Sequence, residues 1–403
     1  MPQYHFSLEE LRQKPLGQQS IELVERKGKG HPDSICDAVA EAVSLALCRE
    51  YESAFGRILH YNADKALLVA GQTEPWPGGG KVQVPMRIVL GDRATAESQG
   101  KRIDVAGIAE ASAKSWLAAN LRFVQPERHL VIQNELQSGS PELTGIFEQN
   151  VIAANDTSAA VGYAPLTETE QLVLAAERWL NSADFQQRFS AAGEDVKVMG
   201  VRLDRELTLT VAVAFVDRFI PDAATYFRYK EEMRLALAEY LNRRLHDLDR
   251  VSVHLNMLDD PSRGAAGMYL TVLGTSAEGA DGGEVGRGNR ANGLIPFNRP
   301  ISTEAAAGKN PISHVGKIYS LLTHHIAGQV VSRVPGVAEI YIWLCSQIGR
   351  SIDSPLIAAA RLSLRQGVQL NDVQRGVQEI IEQELSGIHH FTKRLARGEM
   401  SVW

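Results

Sequence analysis

The alternation of apolar and polar positions predicts helices and strands along the whole chain. Apolar residues recur every three or four positions from 34 to 51, which is typical of one buried helix face. From 206 to 216 they occupy every second position, which predicts a strand with Leu207 and Phe215 on its apolar face. Similar patterns predict helices at 108–120, 167–181, 224–246, 312–331 and 372–397, and strands at 67–70, 87–90, 130–134, 251–257, 268–273 and 338–344.

This order of elements predicts a mixed α/β fold. At about 100–200 residues per domain, a chain of 403 residues contains two or three domains. We place the boundaries near 135 and 275, which gives an N-terminal domain 1–135, a central domain 136–275 and a C-terminal domain 276–403. Residues 274–308 show little periodicity, and a loop of this length within a compact domain is usually functional or disordered.

Composition narrows the class of partner. With 44% apolar and 22% charged residues, a disordered or collagen-like chain is excluded. A net charge of −6 makes nucleic acids and anionic membranes poor partners. The three cysteines form no Cys-x-x-Cys pair, and residues 1–18 lack the apolar core of a signal peptide. We therefore expect a cytoplasmic protein that binds neither nucleic acid nor a membrane.

The segment Gly28–Ser34, which reads Gly-Lys-Gly-His-Pro-Asp-Ser, has the composition of an anion-binding helix start. Its glycines let backbone N–H groups approach a ligand, and the N-terminus of the following helix carries partial positive charge. Asp33 would repel a phosphate unless Mg²⁺, which bridges carboxylates and phosphate oxygens, lay between them. An ordinary turn, with a helix cap formed by Ser34 and Asp37, explains the same residues equally well.

Two later segments place cations on glycine-bearing chain. The first, 281–290, contains Arg287 and Arg290, and guanidinium groups suit bidentate phosphate contacts. The second, 308–317, contains Lys309, His314 and Lys317. The second segment is not a Walker loop, and the segment 28–34 matches neither a Walker loop nor a dinucleotide-binding loop. Each alone is also explained by a solvated loop, but together the three segments favour a polyanion site.

Taken together, these segments resemble the archaeal-type branch of the S-adenosylmethionine synthetase (methionine adenosyltransferase) family. The match covers nearly the whole chain and depends on blocks that follow one another in the family order, at 30–34, 154–158, 193–200, 274–278, 286–290 and 308–311. The resemblance implies three similar α/β domains with pseudo-threefold symmetry, and a homodimer with active sites at the subunit interface.

The resemblance also implies a reaction. The sulfur of L-methionine displaces tripolyphosphate from C5′ of ATP, and the tripolyphosphate is then hydrolysed to pyrophosphate and phosphate before the product leaves. Mg²⁺ is implied as a required ion, and K⁺ as an ion that helps.

Individual residues take roles from the same resemblance. His31 is implied to contact the leaving oxygen and the triphosphate, and Asp33 to bind Mg²⁺. The cations implied around the triphosphate are Lys197, Arg287 and Lys309. The residues implied in ATP or substrate binding are Glu25, Gly139, Ser140, Asp156, Asp195, Asp281, Arg290 and Lys317, with His314 as a further candidate.

Two segments depart from the family pattern. Gln137-Ser138-Gly139-Ser140-Pro141-Glu142 occupies the place of Gly-Gln-Gly-Ser-x-Asp, and Ala159-Ala160 occupies the place of Phe-Gly. Both departures bear on adenosine stacking and on the choice of thioether. They leave open an adenosyltransferase for a different thioether acceptor, or a non-catalytic paralogue that binds nucleotide.

Overall fold

The computed structural model describes residues 4–139 and 153–403. Its helices are α1 (Pro32–Phe55), α2 (Val105–Asn120), α3 (Pro126–His129), α4 (Glu168–Leu180), α5 (Ala183–Arg188), α6 (Ala223–Asn242), α7 (Val315–Arg333), α8 (Leu370–Ser386) and α9 (Ile388–Ala396). Its strands are β1 (His5–Glu10), β2 (Ile21–Lys27), β3 (Tyr61–Val69), β4 (Gln72–Glu74), β5 (Lys81–Val84), β6 (Met86–Ala94), β7 (Glu97–Ser98), β8 (Lys101–Arg102), β9 (Leu130–Gln137), β10 (Ala159–Ala164), β11 (Ala192–Leu203), β12 (Glu206–Val216), β13 (Arg250–Leu255), β14 (Leu270–Thr271), β15 (Gly283–Glu284), β16 (Ile295–Pro296), β17 (Val337–Cys345) and β18 (Ile357–Leu364).

Within these two ranges, three larger sheets form from strands that are distant in sequence. Sheet I has the order β15-β3-β6-β9, sheet II the order β13-β12-β11-β2-β16, and sheet III the order β1-β18-β17-β10. In sheet II, β2 and β11 are antiparallel, with Lys27 opposite Lys197 and Glu25 opposite Met199. This register places charged residues of two distant segments side by side at one end of the sheet.

Helices pack on the sheets and create three hydrophobic cores. The core of sheet I includes apolar residues of α1 and α2, that of sheet II residues of α4 and α6, and that of sheet III residues of α7, α8 and α9. The prediction of a mixed α/β fold is confirmed. The boundaries near 135 and 275 stay a prediction. The sheets do not follow the order of the chain: β1 and β2 both lie within residues 1–135, but β1 belongs to sheet III and β2 to sheet II.

The strongest sequence patterns gave the most accurate elements. The predicted strand at 206–216 coincides with β12, and its odd-numbered residues are buried. The predicted C-terminal helix is interrupted at Gly387, which separates α8 from α9. The predicted cap formed by Ser34 and Asp37 is wrong, because Pro32 opens α1 and the capping side chain belongs to His31.

One fully buried arginine joins sheet III to the helix layer of sheet II. Arg299 donates two hydrogen bonds of 2.8 Å to Glu170 of α4 and one of 3.0 Å to Glu339 of β17. Its side chain has an exposed fraction of 0%. Because these charges are paired out of contact with water, they hold α4 and β17 in a fixed relation. No helix in the described part of the chain is long and apolar enough to cross a membrane.

Candidate active site

The segment that leads into α1 lies against the first residues of β11. The backbone N–H of Gly28 donates to Val196 and that of Gly30 to Glu194, at 2.6 and 3.0 Å. A Cβ atom on Gly30 would collide with the backbone of Glu194 and Asp195. Glycine is therefore needed here for close packing against β11.

His31 is the N-cap of α1, and its ring is held in one tautomer. Nδ1 accepts the backbone N–H of Asp33 at 3.2 Å, so the proton of the neutral ring lies on Nε2. Burial, together with the nearby ammonium of Lys27, lowers the pKa of His31 to about 4. The ring is therefore neutral near pH 7, with Nε2–H as its remaining donor.

Around this helix start lies a first group of charges. The ammonium of Lys27 is 2.9 Å from Asp33 Oδ2 and 3.8 Å from Glu25 Oε1. Glu25 Oε2 lies 3.4 Å from Nζ of Lys197, whose side chain is 45% exposed. Asp33 and Glu25 are buried, whereas Lys197 reaches solvent. The strand register thus brings three residues with sequence-derived roles, Glu25, Asp33 and Lys197, together at one helix start.

Asp195, two residues before Lys197, is held by the loop that leads toward Asp281. Its Oδ2 accepts hydrogen bonds of 2.8 and 2.5 Å from the backbone N–H and the hydroxyl of Ser276. Burial raises the pKa of Asp195 to about 6, and the nearby charge of Asp281 adds to this effect. Asp281 is exposed. Of the two carboxylates, therefore, Asp281 faces solvent and Asp195 does not.

The glycine-rich loop 281–290 packs its backbone against this group and leaves one arginine exposed. Lys27 Nζ donates to the carbonyl oxygen of Arg287 at 2.7 Å, while the side chain of Arg287 is exposed. Arg290 differs, because its guanidinium folds back onto the carbonyl oxygens of Gly286 and Gly288. Arg287 is therefore available to a ligand, whereas one nitrogen of Arg290 is held by the loop, and the predicted role of Arg290 in substrate binding stays a prediction.

A second group of charges surrounds Lys309. Its buried ammonium pairs with Asp64 and lies 3.8 Å from Glu304. Asp64 is also 2.5 Å from Lys65, which is exposed and lies 3.6 Å from Asp92. Burial opposes ionisation of Asp64, but the ammonium of Lys309 outweighs it and holds the pKa of that carboxyl well below its usual value.

Asp156 and His314 lie beside this second group. Asp156, Glu304 and His314 each present a potential ligand atom within 4.8 Å of the others. However, Nδ1 of His314 accepts the backbone N–H of Gly316 at 3.2 Å, which leaves the ring proton on Nε2. Burial and the charge of Lys309 lower the pKa of His314 to about 3. The ring is a hydrogen-bond donor here, and it does not fit the role of a metal ligand.

Lys317 is placed differently from Lys309 although both follow a glycine. Its ammonium is fully buried and donates to both oxygens of Glu41, at 2.8 and 2.7 Å, and to the carbonyl oxygen of Lys309 at 2.9 Å. These contacts use all three of its protons. In this arrangement Lys317 supports Lys309 and has no donor left for a substrate.

The remaining sequence-derived positions are the two segments that depart from the family pattern. Gly139 lies just beyond β9 and is half-buried. Ser140 and the rest of the departing segment 140–142 lie outside the described residues. Ala159 and Ala160, the other departure, begin β10.

A groove of about 640 Å³ begins at Lys197 on the face of sheet II. Its lining includes the apolar or aromatic side chains Met199, Met257, Leu258, Met268 and Tyr269. Met257 is 65% and Leu258 90% exposed, and together with the other apolar side chains of the groove they form a contiguous exposed patch. An apolar groove beside a small number of charged groups is the usual form of a small-molecule site.

Comparison with known proteins shows the family to which the chain belongs. A family model described as S-adenosylmethionine synthetase (AdoMet synthetase) matches residues 5–399. The chain belongs to this family.

Curated relatives of the S-adenosylmethionine synthetase family resemble the chain over almost its full length. The S-adenosylmethionine synthase of Methanothrix thermoacetophila is 45% identical over 402 residues, which cover 98% of each chain. That of Aeropyrum pernix is 45% identical over 390 residues, covering 95% of each. The solved structure of an unusual S-adenosylmethionine synthetase from Campylobacter jejuni shares the fold, with a TM-score of 0.60 at 14% identity over 93% of this chain and 90% of that one. The predicted enzyme class is confirmed.

The donor chemistry of the first group fits the magnesium ion that the family implies. Its side chains offer carboxylate oxygens, the ligands that Mg²⁺ prefers. Lys27 already places a cation between Asp33, Glu25 and a backbone carbonyl oxygen, so this position favours positive charge. Asp33 is the carboxylate at its centre.

Sequence reasoning missed several charged residues of both groups. Lys27 lies one residue before the first motif, and Asp64 lies in a strand without a glycine-rich pattern. Glu304 lies in the long loop 274–308 but outside the two segments in which the cations were found. Asp37 and Glu41 carry a weaker signal, because they repeat Asp33 at intervals of four residues along α1. Carboxylates at that interval share one helix face, and a buried helix with such a face requires partners for them.

Proposed function

We propose that the protein forms S-adenosylmethionine from ATP and L-methionine by displacing tripolyphosphate, which it hydrolyses to pyrophosphate and phosphate before release. The observation that supports this best is the convergence of His31, Asp33 and Lys197 at the start of α1, beside the loop that exposes Arg287. Membership of the family supports the reaction as a whole.

The chemistry of this reaction matches the groups that converge. A thioether sulfur has no proton to lose, so its attack on C5′ requires no general base. The barrier lies in expelling a polyanion from a primary carbon, and preorganised donors and cations lower it. We assign this role to Nε2–H of His31 and to the cations of Lys197, Arg287 and Lys309. The dipole of α1 adds positive potential at its N-terminus.

We assign magnesium binding to Asp33, with the neighbouring carboxylate Glu25 as a supporting ligand, and keep Asp281 as a residue of the substrate site. When bound, Mg²⁺ would supply positive charge against the phosphate oxygens. K⁺ as a second ion stays a prediction, as does a cytoplasmic location without a nucleic-acid or membrane partner.

We also propose that the site is completed by a second copy of the chain. The two charged groups lie beside different turns of α1. Asp33 belongs to the first group, and Glu41 contacts Gly308 beside the second. Asp33 and Glu41 are eight residues apart in α1, which at a rise of about 1.5 Å per residue separates them by about 12 Å along the helix axis. Exposed apolar side chains continue along the strands of the sheets, at Leu67, Val69 and Val131 in sheet I and at Ile21 and Leu203 in sheet II. Apolar surface of this kind is typical of an interface.

The activity is tested directly with ATP, Mg²⁺ and L-methionine. We expect S-adenosylmethionine, pyrophosphate and phosphate, identified by mass spectrometry, and loss of all three after treatment with EDTA. A panel of thioethers tests the substrate, since Ala159 and Ala160 depart from the family pattern. If the adenosyl group is transferred faster to another thioether, that thioether is the substrate instead of methionine. If the protein binds nucleotide but transfers no adenosyl group, the proposed catalysis is refuted.

The shared site is tested by complementation between two inactive variants. If His31 and Lys309 of one site come from different chains, mixed dimers of His31→Ala and Lys309→Met contain one intact site. Random re-assembly would then restore about a quarter of the wild-type activity. If both residues serve the same site from one chain, every site in the mixture carries a defect, and activity stays absent. Sedimentation analysis of each variant checks that dimers form.

A further inference from the structure

Three carboxylates lie on one face of α1, spaced four residues apart. Asp33 belongs to the first charged group, but Asp37 and Glu41 are only 2% and 8% exposed. Residues at this spacing point the same way from a helix. Asp37 and Glu41 have no assigned role in the reaction, and two buried carboxylates in one helix require an explanation.

Each of the three carboxylates accepts a backbone N–H from a loop that carries a candidate cation. Asp33 Oδ1 accepts the N–H of Glu284 at 2.9 Å, and Asp37 Oδ1 that of Gly286 at 2.8 Å. Glu41 Oε2 accepts the N–H of Gly308 at 3.1 Å. Gly286 directly precedes Arg287, and Gly308 directly precedes Lys309. The helix face therefore holds both loops immediately before their cations.

The contact at Glu41 extends to the next residue of the loop. Lys317, which is bound to both oxygens of Glu41, also donates to the carbonyl oxygen of Lys309. The hydroxyl of Ser44, one turn further along α1, donates to the same carbonyl oxygen at 3.1 Å. The backbone is thus fixed on both sides of the Lys309 side chain.

The backbones of both loops lie so close to α1 and to sheet I that neither can shift without a collision. Gly286 and Gly308 have φ values of +85° and +79°, which favour glycine. A Cβ on Gly308 would collide with the carbonyl oxygen of Ala63, and one on Gly288 would collide with the carboxylate of Asp37. The buried acceptors therefore determine where these backbones lie.

We propose that Asp37 and Glu41 are positioning residues that hold Arg287 and Lys309 in place through Gly286 and Gly308, without touching the substrate. This inference depends on the proposed function, in which these two cations face the triphosphate. A displacement of about 1 Å in a group that positions charge can reduce turnover about a hundredfold. The acceptor oxygen is the feature required of Asp37, and an amide supplies one as well as a carboxylate does.

The test at Asp37 compares two substitutions of similar size. Asp37→Asn keeps an oxygen for the N–H of Gly286, and we expect kcat within about threefold of the wild-type value. Asp37→Leu removes the acceptor, and we expect kcat to fall about 10- to 100-fold, with the KM for methionine nearly unchanged. If Asp37→Leu turns over like Asp37→Asn, the inference is wrong.

The test at Glu41 changes the buried pair as a unit, because a lone buried charge would destabilise the fold. Glu41→Gln with Lys317→Met keeps an acceptor for Gly308, whereas Glu41→Met with Lys317→Met removes it. We expect the second pair of changes to lower kcat at least tenfold more than the first. Equal rates in the two double variants would contradict a positioning role for Glu41.

Binding of inorganic tripolyphosphate with Mg²⁺, measured by calorimetry, separates positioning from a purely structural role. We expect weaker binding in Asp37→Leu than in Asp37→Asn, at a temperature well below the unfolding midpoint of both variants. If the wild-type protein produces no S-adenosylmethionine, the proposed function fails. If the wild-type protein is active and both Asp37 variants bind tripolyphosphate equally, only the positioning role fails.

Discussion

Replacing Lys309 with methionine removes a buried cation while keeping a side chain of similar length. Lys309 is 5% exposed, and its ammonium lies against Asp64 and 3.8 Å from Glu304. If this ammonium stabilises the leaving triphosphate, its loss raises the barrier by about 3–4 kcal/mol, as for other preorganised donors. We therefore expect Lys309→Met to slow formation of S-adenosylmethionine about 10²- to 10³-fold.

The same substitution affects stability through Asp64. Because Lys309 holds the pKa of this carboxyl below its ordinary value, the pair stabilises the fold above the unfolded pKa, and that contribution is lost as the pH falls through the folded pKa. Removing one partner of a buried pair costs about 3–5 kcal/mol. The loss here lies at or below the lower limit, because exposed Lys65 still neutralises Asp64 at 2.5 Å.

A second substitution separates the two effects. Lys309→Met combined with Asp64→Asn removes the unpaired charge, so the thermal unfolding midpoint should recover while the rate stays low. Lys65→Met is the matched control, because it removes an exposed cation beside the same carboxylate, and we expect a rate near that of the wild type. Product is measured by mass spectrometry and stability by thermal unfolding. Recovery of both stability and rate in the double variant would refute a direct role for Lys309.

Three further predictions follow from the geometry. Arg299→Met leaves Glu170 and Glu339 buried without their partner, and should lower the free energy of unfolding by about 3–5 kcal/mol in denaturant titrations. His31→Asn keeps a good helix cap but loses Nε2–H, so the rate should fall about a hundredfold with little change in the unfolding midpoint. Burial raises the pKa of Asp195 to about 6, so its contribution to stability is present below about pH 4 and is lost as the pH rises through about 6. Asp195→Asn should remove this pH dependence, and an unchanged slope would refute it.

The spacing of apolar residues was sufficient to predict helices and strands that bury one regular face against a core. α1 and β12 were predicted within a few residues, because one face of each is packed against a core. β1 and β18 were missed. The segment of β1 is short and only partly apolar, and it is a strand because it pairs in parallel with a segment more than 300 residues away. Such pairing carries no signal in the local sequence.

The residues of the candidate site also fall into those that a local pattern marked and those that only folding brings together. Glycines and prolines marked the start of α1 and the loops with Arg287 and Lys309, because tight backbone paths require those residues. Of the carboxylates that organise these loops, Asp33 was singled out, but Asp37, Glu41 and Asp64 were given no role at the site. Asp64 pairs with Lys309 across 245 residues, and Asp37 meets Gly286 across 249. Before folding, such residues resemble ordinary polar positions of a helix or strand.

Lys309 and Lys317 show why the sequence placed both at the active site, Lys309 as a cation around the triphosphate and Lys317 in substrate binding. Each follows a glycine and lies near a histidine in the same segment. Their difference lies in what surrounds the ammonium. Lys317 gives all three protons to Glu41 and a carbonyl oxygen, so it has no contact to exchange. Lys309 pairs with carboxylates that have another cation nearby. We therefore expect Lys309 to exchange its contact for a polyanion more readily than Lys317, whose role in substrate binding stays a prediction.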